Sequence, residues 1–268
     1  MGVVPLTVDC VSKLRLMRYS RFDTLMLRAH VAENGEFCWR IDGSNEYAIG
    51  GPWRRRRDIA HLIEITQGPN RDILLSHLLA TFKRAGFQIA VVACDDSDLC
   101  TASYAKQGFH VLDQIVELER YSSGASSGTS NGTIRPCTRR DFPEVMRVDA
   151  QAFPWLWQNS REEFEWYSSL PEVEVYVVDN GQEVVGYAGM TVYGLNGHLD
   201  RLAVAPAKQR QGYGFALLSY VIERMEHLQV KRIGLSTQTH NTKSLSLYHK
   251  LGFRNTPRTQ AICGLWLD

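Results

Sequence analysis

Apolar residues recur along this chain at two spacings, and the switches between them predict the elements. In the C-terminal half, Leu218, Val221, Ile222 and Met225 stand at i, i+3, i+4 and i+7, the stripe of a long amphipathic helix. Ahead of it, short β-rich runs at 133–137, 173–178, 183–192 and 198–204 read as strands, and Asp179-Asn180-Gly181 joins the second and third as a hairpin. A helix is expected from Arg139, with Val145, Met146 and Val148 on its apolar side. Another covers 160–170, where Ser160 and Glu163 have the spacing of a capping box. Beyond the long helix come a strand at 232–238, a helix at 242–251 stopped by Gly252, and a final hairpin of 253–256 and 261–267. The expected class is α/β, a mixed sheet flanked by helices.

The pattern occurs twice. Leu74-Leu75-Ser76-His77 is followed by an apolar run at 89–93 and Tyr104-Ala105-Lys106-Gln107-Gly108-Phe109. Leu217-Leu218-Ser219-Tyr220 is followed by Ile233-Gly234-Leu235 and Tyr248-His249-Lys250-Leu251-Gly252-Phe253. The separations from the first Leu to the Tyr are 30 and 31 residues, a match that points to internal duplication. Between the halves lies a Gly/Ser tract at 122–132, too poor in apolar side chains to order itself. The expected division is 1–121, the tract at 122–132, and 133–268.

Composition narrows the functional classes. Lys plus Arg is 30 against 29 for Asp plus Glu, which gives no electrostatic reason to expect nucleic acid or an anionic membrane as partner. The basic run Arg54–Arg55–Arg56–Arg57 is followed at once by Asp58 and reads as a solvated strand edge or turn rather than a phosphate or partner contact. Cys10, Cys38, Cys94, Cys100, Cys137 and Cys263 form no C-x-x-C pair, so neither a zinc site nor a disulfide framework is expected. The first residues lack an apolar signal core, and residue 6 is Leu where a myristoylation signal needs Ser or Thr. A cytoplasmic, metal-free protein is expected, its oligomeric state open.

The chemistry concentrates at 202–215. An apolar strand ends at Pro206, a polar loop follows, and Gly212-Tyr213-Gly214 opens the long helix. Helix N-termini carry unpaired amides and the positive end of the macrodipole, which suits a phosphate, and glycines let backbone approach closely. The third glycine of a dinucleotide fingerprint and the Gly-Lys-Ser/Thr of a Walker loop are both missing.

Gln209-x-x-Gly212-x-Gly214, a helix, a strand, Asn241, and Tyr248-x-x-x-Gly252-Phe253 together resemble the GNAT superfamily of N-acetyltransferases, over essentially all of 133–268. The nearest type is the bacterial tandem GNAT: two GNAT-like units, each a mixed, mostly antiparallel sheet flanked by helices. The first half shares only the closing helix–strand–helix pattern. Its Gln67-Gly68-Pro69-Asn70-Arg71 is shorter than the 209–214 loop and lacks Gly-x-Gly, and Pro69 removes an amide donor, so the first copy reads as degenerate.

The resemblance implies acetyl-CoA as co-substrate, direct attack of an amine on its thioester, and these roles. Gln211, Gly212, Tyr213, Gly214 and Phe215 would hold the pyrophosphate, with Gln209 and Arg210 on the loop. Leu202, Ala203 and Val204 would pair with the pantetheine, the Val204 amide facing the thioester oxygen. Asn241 would contact the pantetheine, and Tyr248 would sit near the sulfur as general acid. Some relatives carry Glu where this chain has Ser236, so the base is sought elsewhere. His198, Asp200 and Leu202 share strand parity, and His198 or Asp200 is the candidate. The acceptor, a small-molecule amine or a peptide amine, would meet the segment Phe153–Trp157 or Glu162, Glu163, Glu165, Trp166 and Tyr167. Two other classes compete: a non-catalytic acyl-CoA-binding module, favoured by Ser236, and a scaffold protein, favoured by the degenerate copy.

Overall fold

A computed structural model describes residues 2–95, 98–122 and 132–267. The greater part of the Gly/Ser tract lies outside the described residues. The chain forms two compact units: unit 1 is 1–113 with 260–268, and unit 2 is 114–259.

Unit 1 runs β1 (Val3–Pro5), α1 (Val8–Val11), α2 (Thr24–Asn34), β2 (Cys38–Ile41), β3 (Tyr47–Pro52), β4 (Ile59–Ile65), α3 (Arg71–Arg84), β5 (Ile89–Asp95) and α4 (Asp98–Ala105). Strand β6 (His110–Tyr121) carries the chain into unit 2. There follow β7 (Thr133–Pro136), α5 (Phe142–Ala152), α6 (Arg161–Tyr167), β8 (Val173–Asp179), β9 (Val184–Tyr193), β10 (Asn196–Val204), α7 (Tyr213–His227), β11 (Arg232–Gln238) and α8 (Thr242–Lys250). The last strand, β12 (Arg254–Trp266), is continuous, where a hairpin was expected. Pro257 and the polar stretch around it suggest a turn, but residues from Gln260 on have their own partner, β5, which keeps the strand extended.

In unit 1, β1 to β5 pair in order, all antiparallel except the parallel β4–β5 pair, and residues 260–266 of β12 close the sheet against β5. In unit 2, β7, β8, β9 and β10 pair antiparallel, β10–β11 is parallel, and residues 115–121 of β6 close the sheet antiparallel to β11. Each unit is therefore a mixed, mostly antiparallel α/β sheet. Each draws its closing strand from the other half of the sequence, so the compact units differ from a division at the Gly/Ser tract.

The duplication is visible in the register. Ile59–Leu62 pairs with Ile89–Val92, and Asn196–Leu199 with Arg232–Leu235. His61 and His198 occupy the third pair in each. Both units break their neighbouring antiparallel ladder at the matching place. Leu62 and Glu64 oppose Gly50 and Ile49, while Leu199 and Arg201 oppose Met190 and Gly189, leaving Ile63 and Asp200 as the extra residues of a bulge.

In unit 2 one face of the sheet packs on α7 and α8: Leu118, Leu199, Ile233 and Leu235 meet Leu218, Val221, Ile222 and Met225. The other face packs on α5 and α6, through Val177, Tyr187 and Ala203 against Val145, Val148 and Phe164. Both helices are capped as their sequences require. The Ser160 hydroxyl accepts from the Glu163 amide at 2.9 Å, and a full capping box joins Thr138 and Asp141 ahead of α5.

Candidate active site

The β10–β11 ladder ends at Leu199–Leu235, although β10 continues to Val204 and β11 to Gln238. Beyond that point β10 keeps only β9 and β11 keeps only β6, so the two strands open a cleft. A cavity of about 860 Å³ occupies it. Leu202, Ala203 and Val204 form one side, Gln238, His240 and Asn241 the other, and Phe153 and Pro154 close it from the end of α5. Gln209, Arg210, Gly212, Gly214 and Phe215 line its end at the start of α7.

The loop into α7 is shaped by two left-handed residues, Arg210 (φ 63°) and Gly212 (φ 90°). Gly212 is the N-cap, and its carbonyl accepts from the Ala216 amide at 3.0 Å. Its φ is costly for any residue with a Cβ. The Gln209 side chain donates from Nε2 to the Val204 carbonyl at 3.1 Å, tying the loop back to β10. A Cβ on Gly214 would lie 3.6 Å from Leu247 and 3.7 Å from Val204, so methyl fits there and a larger group would fill the cavity. This wall, glycine-built and opening a 15-residue helix, can receive a phosphate.

The structure brings together Leu202, Ala203, Val204, Gln209, Arg210, Gly212, Gly214, Phe215 and Asn241 around the cavity. Gln211 is exposed, its side-chain Nε2 donating to the Ala207 carbonyl at 3.4 Å. The Tyr213 and Tyr248 rings are buried in the core with α7, and neither lines the cavity. Burial pushes the Tyr248 phenol up to about 12. A phenol raised in this way gives up its proton to a thiolate of pKa about 8.5 less readily than a free tyrosine would, and its ring stands outside the cavity lining; both count against the expected general-acid role. The Asn241 side chain caps α8, its Oδ1 accepting from the Ser244 amide at 3.4 Å, and its Nδ2 donates to the Thr237 hydroxyl at 3.2 Å.

The bulge at Asp200 changes the expected parity. His198 and Asp200 do share a face, and His198 Nδ1 lies 2.8 Å from Asp200 Oδ1. Leu202, past the bulge, turns instead toward the α7 core. Asp200 Oδ2 also accepts from the hydroxyls of Tyr167 and Thr191, each at 2.6 Å. Burial, followed by the nearby Asp200 charge, drives the Tyr167 phenol far above its ordinary range. With three donors on one carboxylate, Asp200 is fitted to orient His198. An Nδ1–H held by Asp200 leaves Nε2 as the proton acceptor.

A second buried network went unread in the sequence. Asp149 accepts from Tyr187 and from Arg201, Arg201 Nη1 donates to the Trp157 carbonyl at 3.0 Å, and the Asn159 amide donates to Asp149 at 2.9 Å. The Arg201 guanidinium lies 3.7 Å from the centroid of the Phe153 ring. These contacts fix residues 153–159, whose first two members line the cavity. Asp149 sits in a helix that reads as merely amphipathic, and no local feature marks Arg201 as its partner from another element.

Unit 1 differs at the matching place. The Glu46 carboxylate accepts from the Asn70 amide at 3.0 Å and from its side-chain nitrogen at 2.7 Å, at the N-cap of α3. Arg71, which the Leu-Leu-Ser alignment sets opposite Gly214, is buried, its guanidinium 4.8 Å from the centroid of the Tyr104 ring. Among the described residues no group of three or more His, Cys, Asp or Glu side chains is placed to hold a metal ion, and no helix is long and apolar enough to cross a membrane.

The Acetyltransferase (GNAT) family model matches residues 139–253. Over 123 residues, 45% of this chain, the sequence is 30% identical to the [ribosomal protein bS18]-alanine N-acetyltransferase of Escherichia coli strain K12, spanning 80% of that protein. Among solved structures, the GCN5-related N-acetyltransferase from Sphaerobacter thermophilus is similar over 99% of this chain and 95% of its own, with a TM-score of 0.71 at 13% identity. A tandem GNAT protein from the clavulanic acid biosynthesis pathway is similar over 100% of this chain and 98% of its own, with a TM-score of 0.66 at 12% identity, which again bears on fold alone. The cleft beside β10, the glycine-built start of α7 and these similarities agree: the chain belongs to the GNAT acetyltransferase family.

Proposed function

We propose that unit 2 transfers an acetyl group from acetyl-CoA to a primary amine by direct attack. The observation that carries this reading is the edge of Leu202–Val204 beyond the end of the β11 pairing, which leads into a loop turned by Arg210 and Gly212 beside a cavity of about 860 Å³. The pyrophosphate would rest on the amides of Gln211 to Phe215, and the pantetheine would pair along Leu202 to Val204 with Asn241 across from it. The amine nitrogen attacks the thioester carbon, the Val204 amide donates to the oxyanion, the C–S bond breaks, and the thiolate leaves. His198, oriented by Asp200, takes the proton that the nitrogen loses, through a water. The name of the E. coli relative, which acts on an alanine of a ribosomal protein, supports a peptide amine as well as a small one.

The first unit takes no acetyl-CoA in this reading. Glu46 presents a carboxylate at the N-terminus of α3, and Arg71 fills space that Gly214 leaves open in unit 2. The test is thiol release from acetyl-CoA with a panel of primary amines. Turnover by the wild type, kept by Gly214→Ala and abolished by Gly214→Trp, is expected. Thiol release untouched by Gly214→Trp would refute the assignment.

A further inference from the structure

Residues 115–121 of β6, which precede the Gly/Ser tract, lie beside β11 in unit 2, pairing Glu117 with Ser236 and Glu119 with Gly234. The face each residue takes is fixed by the core. Val116, Leu118, Ile233 and Leu235 all point into the apolar layer against α7 and α8. Strand alternation therefore turns Glu117, Glu119, Ser236 and Gln238 to the opposite face. His198 shares that face, its ring lying over Gly234. Gln238 lines the cavity, and Ser236 is one alternation away from it, exposed and small. Directly opposed residues on neighbouring antiparallel strands have Cβ atoms about 4.5–5.5 Å apart. A glutamate at 117 can thus extend over Ser236 toward the cleft, into space that a larger residue at 236 would take.

The carboxylates on this face differ in their commitments. Asp200 is held by Tyr167, Thr191 and His198. Glu119 accepts from Arg232 at 2.7 Å and from Tyr121 at 3.3 Å. Glu117 faces Arg258 across 3.7 Å, a pair whose side chains are 42% and 74% exposed. Such an exposed pair is weak and can open to receive another cation.

We propose that Glu117 receives the ammonium group of the acceptor, making this enzyme selective for alkylammonium substrates. The inference rests on the acetyl-transfer reading. An alkylamine has a pKa near 10 and arrives protonated at neutral pH. Its positive charge is held against Glu117, one N–H proton passes through His198 to water, the resulting neutral nitrogen attacks the thioester carbon, and the second proton that the nitrogen loses goes to the thiolate released as the C–S bond breaks.

The experiment compares wild type, Glu117→Gln and Glu117→Asp with acetyl-CoA and two kinds of acceptor, a series of alkylamines and a series of anilines, which are neutral at pH 7. For alkylamines, Glu117→Gln should raise KM by about tenfold with kcat changed by less than about threefold, and Glu117→Asp should recover part of the loss. KM for anilines should stay the same. An unchanged alkylamine KM, or equal rises for both series, overturns the proposal. A wild type that acetylates no amine at all removes the acetyl-transfer reading and this inference with it, whereas an active wild type with an indifferent Glu117→Gln removes this inference alone.

Discussion

At the scale of single residues, the site rests on two groups whose roles come from burial. Asp149 is 1% exposed and Arg201 7%. A buried cation left without its partner costs about 3–5 kcal/mol, so Asp149→Ala should destabilise unit 2 by that order, read as a lowered denaturant midpoint. The same change frees residues 153–159 and should raise KM for the acceptor in whatever enzyme still folds. Gly189 makes a sharper case. A Cβ there would stand 2.6 Å from the Tyr167 hydroxyl, the group that donates to Asp200. Gly189→Ala should therefore displace Tyr167 and loosen the carboxylate it donates to, lowering kcat on the proposed mechanism with little loss of acetyl-CoA affinity. A kcat identical to that of the wild type would mean that the Tyr167–Asp200 contact does not serve the reaction.

At the scale of elements, much of unit 2 was legible because its signals are local. Capping residues, the 3.6-residue stripe of α7 and the turn at 179–181 each act within a few positions. What escaped depends on partners far along the chain. The bulge at Asp200 is a mismatch between β9 and β10, and no local sequence feature announces which residue will be the extra one. It places Leu202 on the opposite face from His198 and lets Asp200 and Arg201 serve different networks from adjacent positions. Continuous β12 has the same cause, since its second half is held by β5. The loop into α5 supplies a pH prediction. The Arg135 guanidinium donates twice to Asp141, at 2.8 Å each, and the Thr138 amide and hydroxyl donate to it as well. These donors hold its carboxyl well below the usual range, Arg135 first among them. A carboxyl depressed on folding contributes stability above its unfolded pKa of about 3.9 and loses it as pH falls below that value. Asp141→Asn should lower the thermal midpoint at pH 7 and narrow the difference from wild type progressively below about pH 4.

At the scale of the whole molecule, internal duplication could be read from spacing, while the exchange of closing strands could not. Tyr-x-Lys-x-Gly-Phe recurs at a measurable distance, but nothing in 110–121 says which sheet it will join. Residues 115–121 complete the sheet of unit 2 along β11. A fragment of 133–268 therefore lacks one edge of its sheet and should unfold at lower temperature than one beginning at 114, as followed by circular dichroism. Equal midpoints would mean that β6 is dispensable to unit 2. On the proposed function, acetyl-CoA binds at the start of α7 and nowhere in unit 1. Calorimetric titration of acetyl-CoA into the full chain tests it most directly: one site per chain, lost in Gly214→Trp and kept in Glu46→Gln, is the predicted result. Two sites per chain, or one that survives Gly214→Trp, would contradict it.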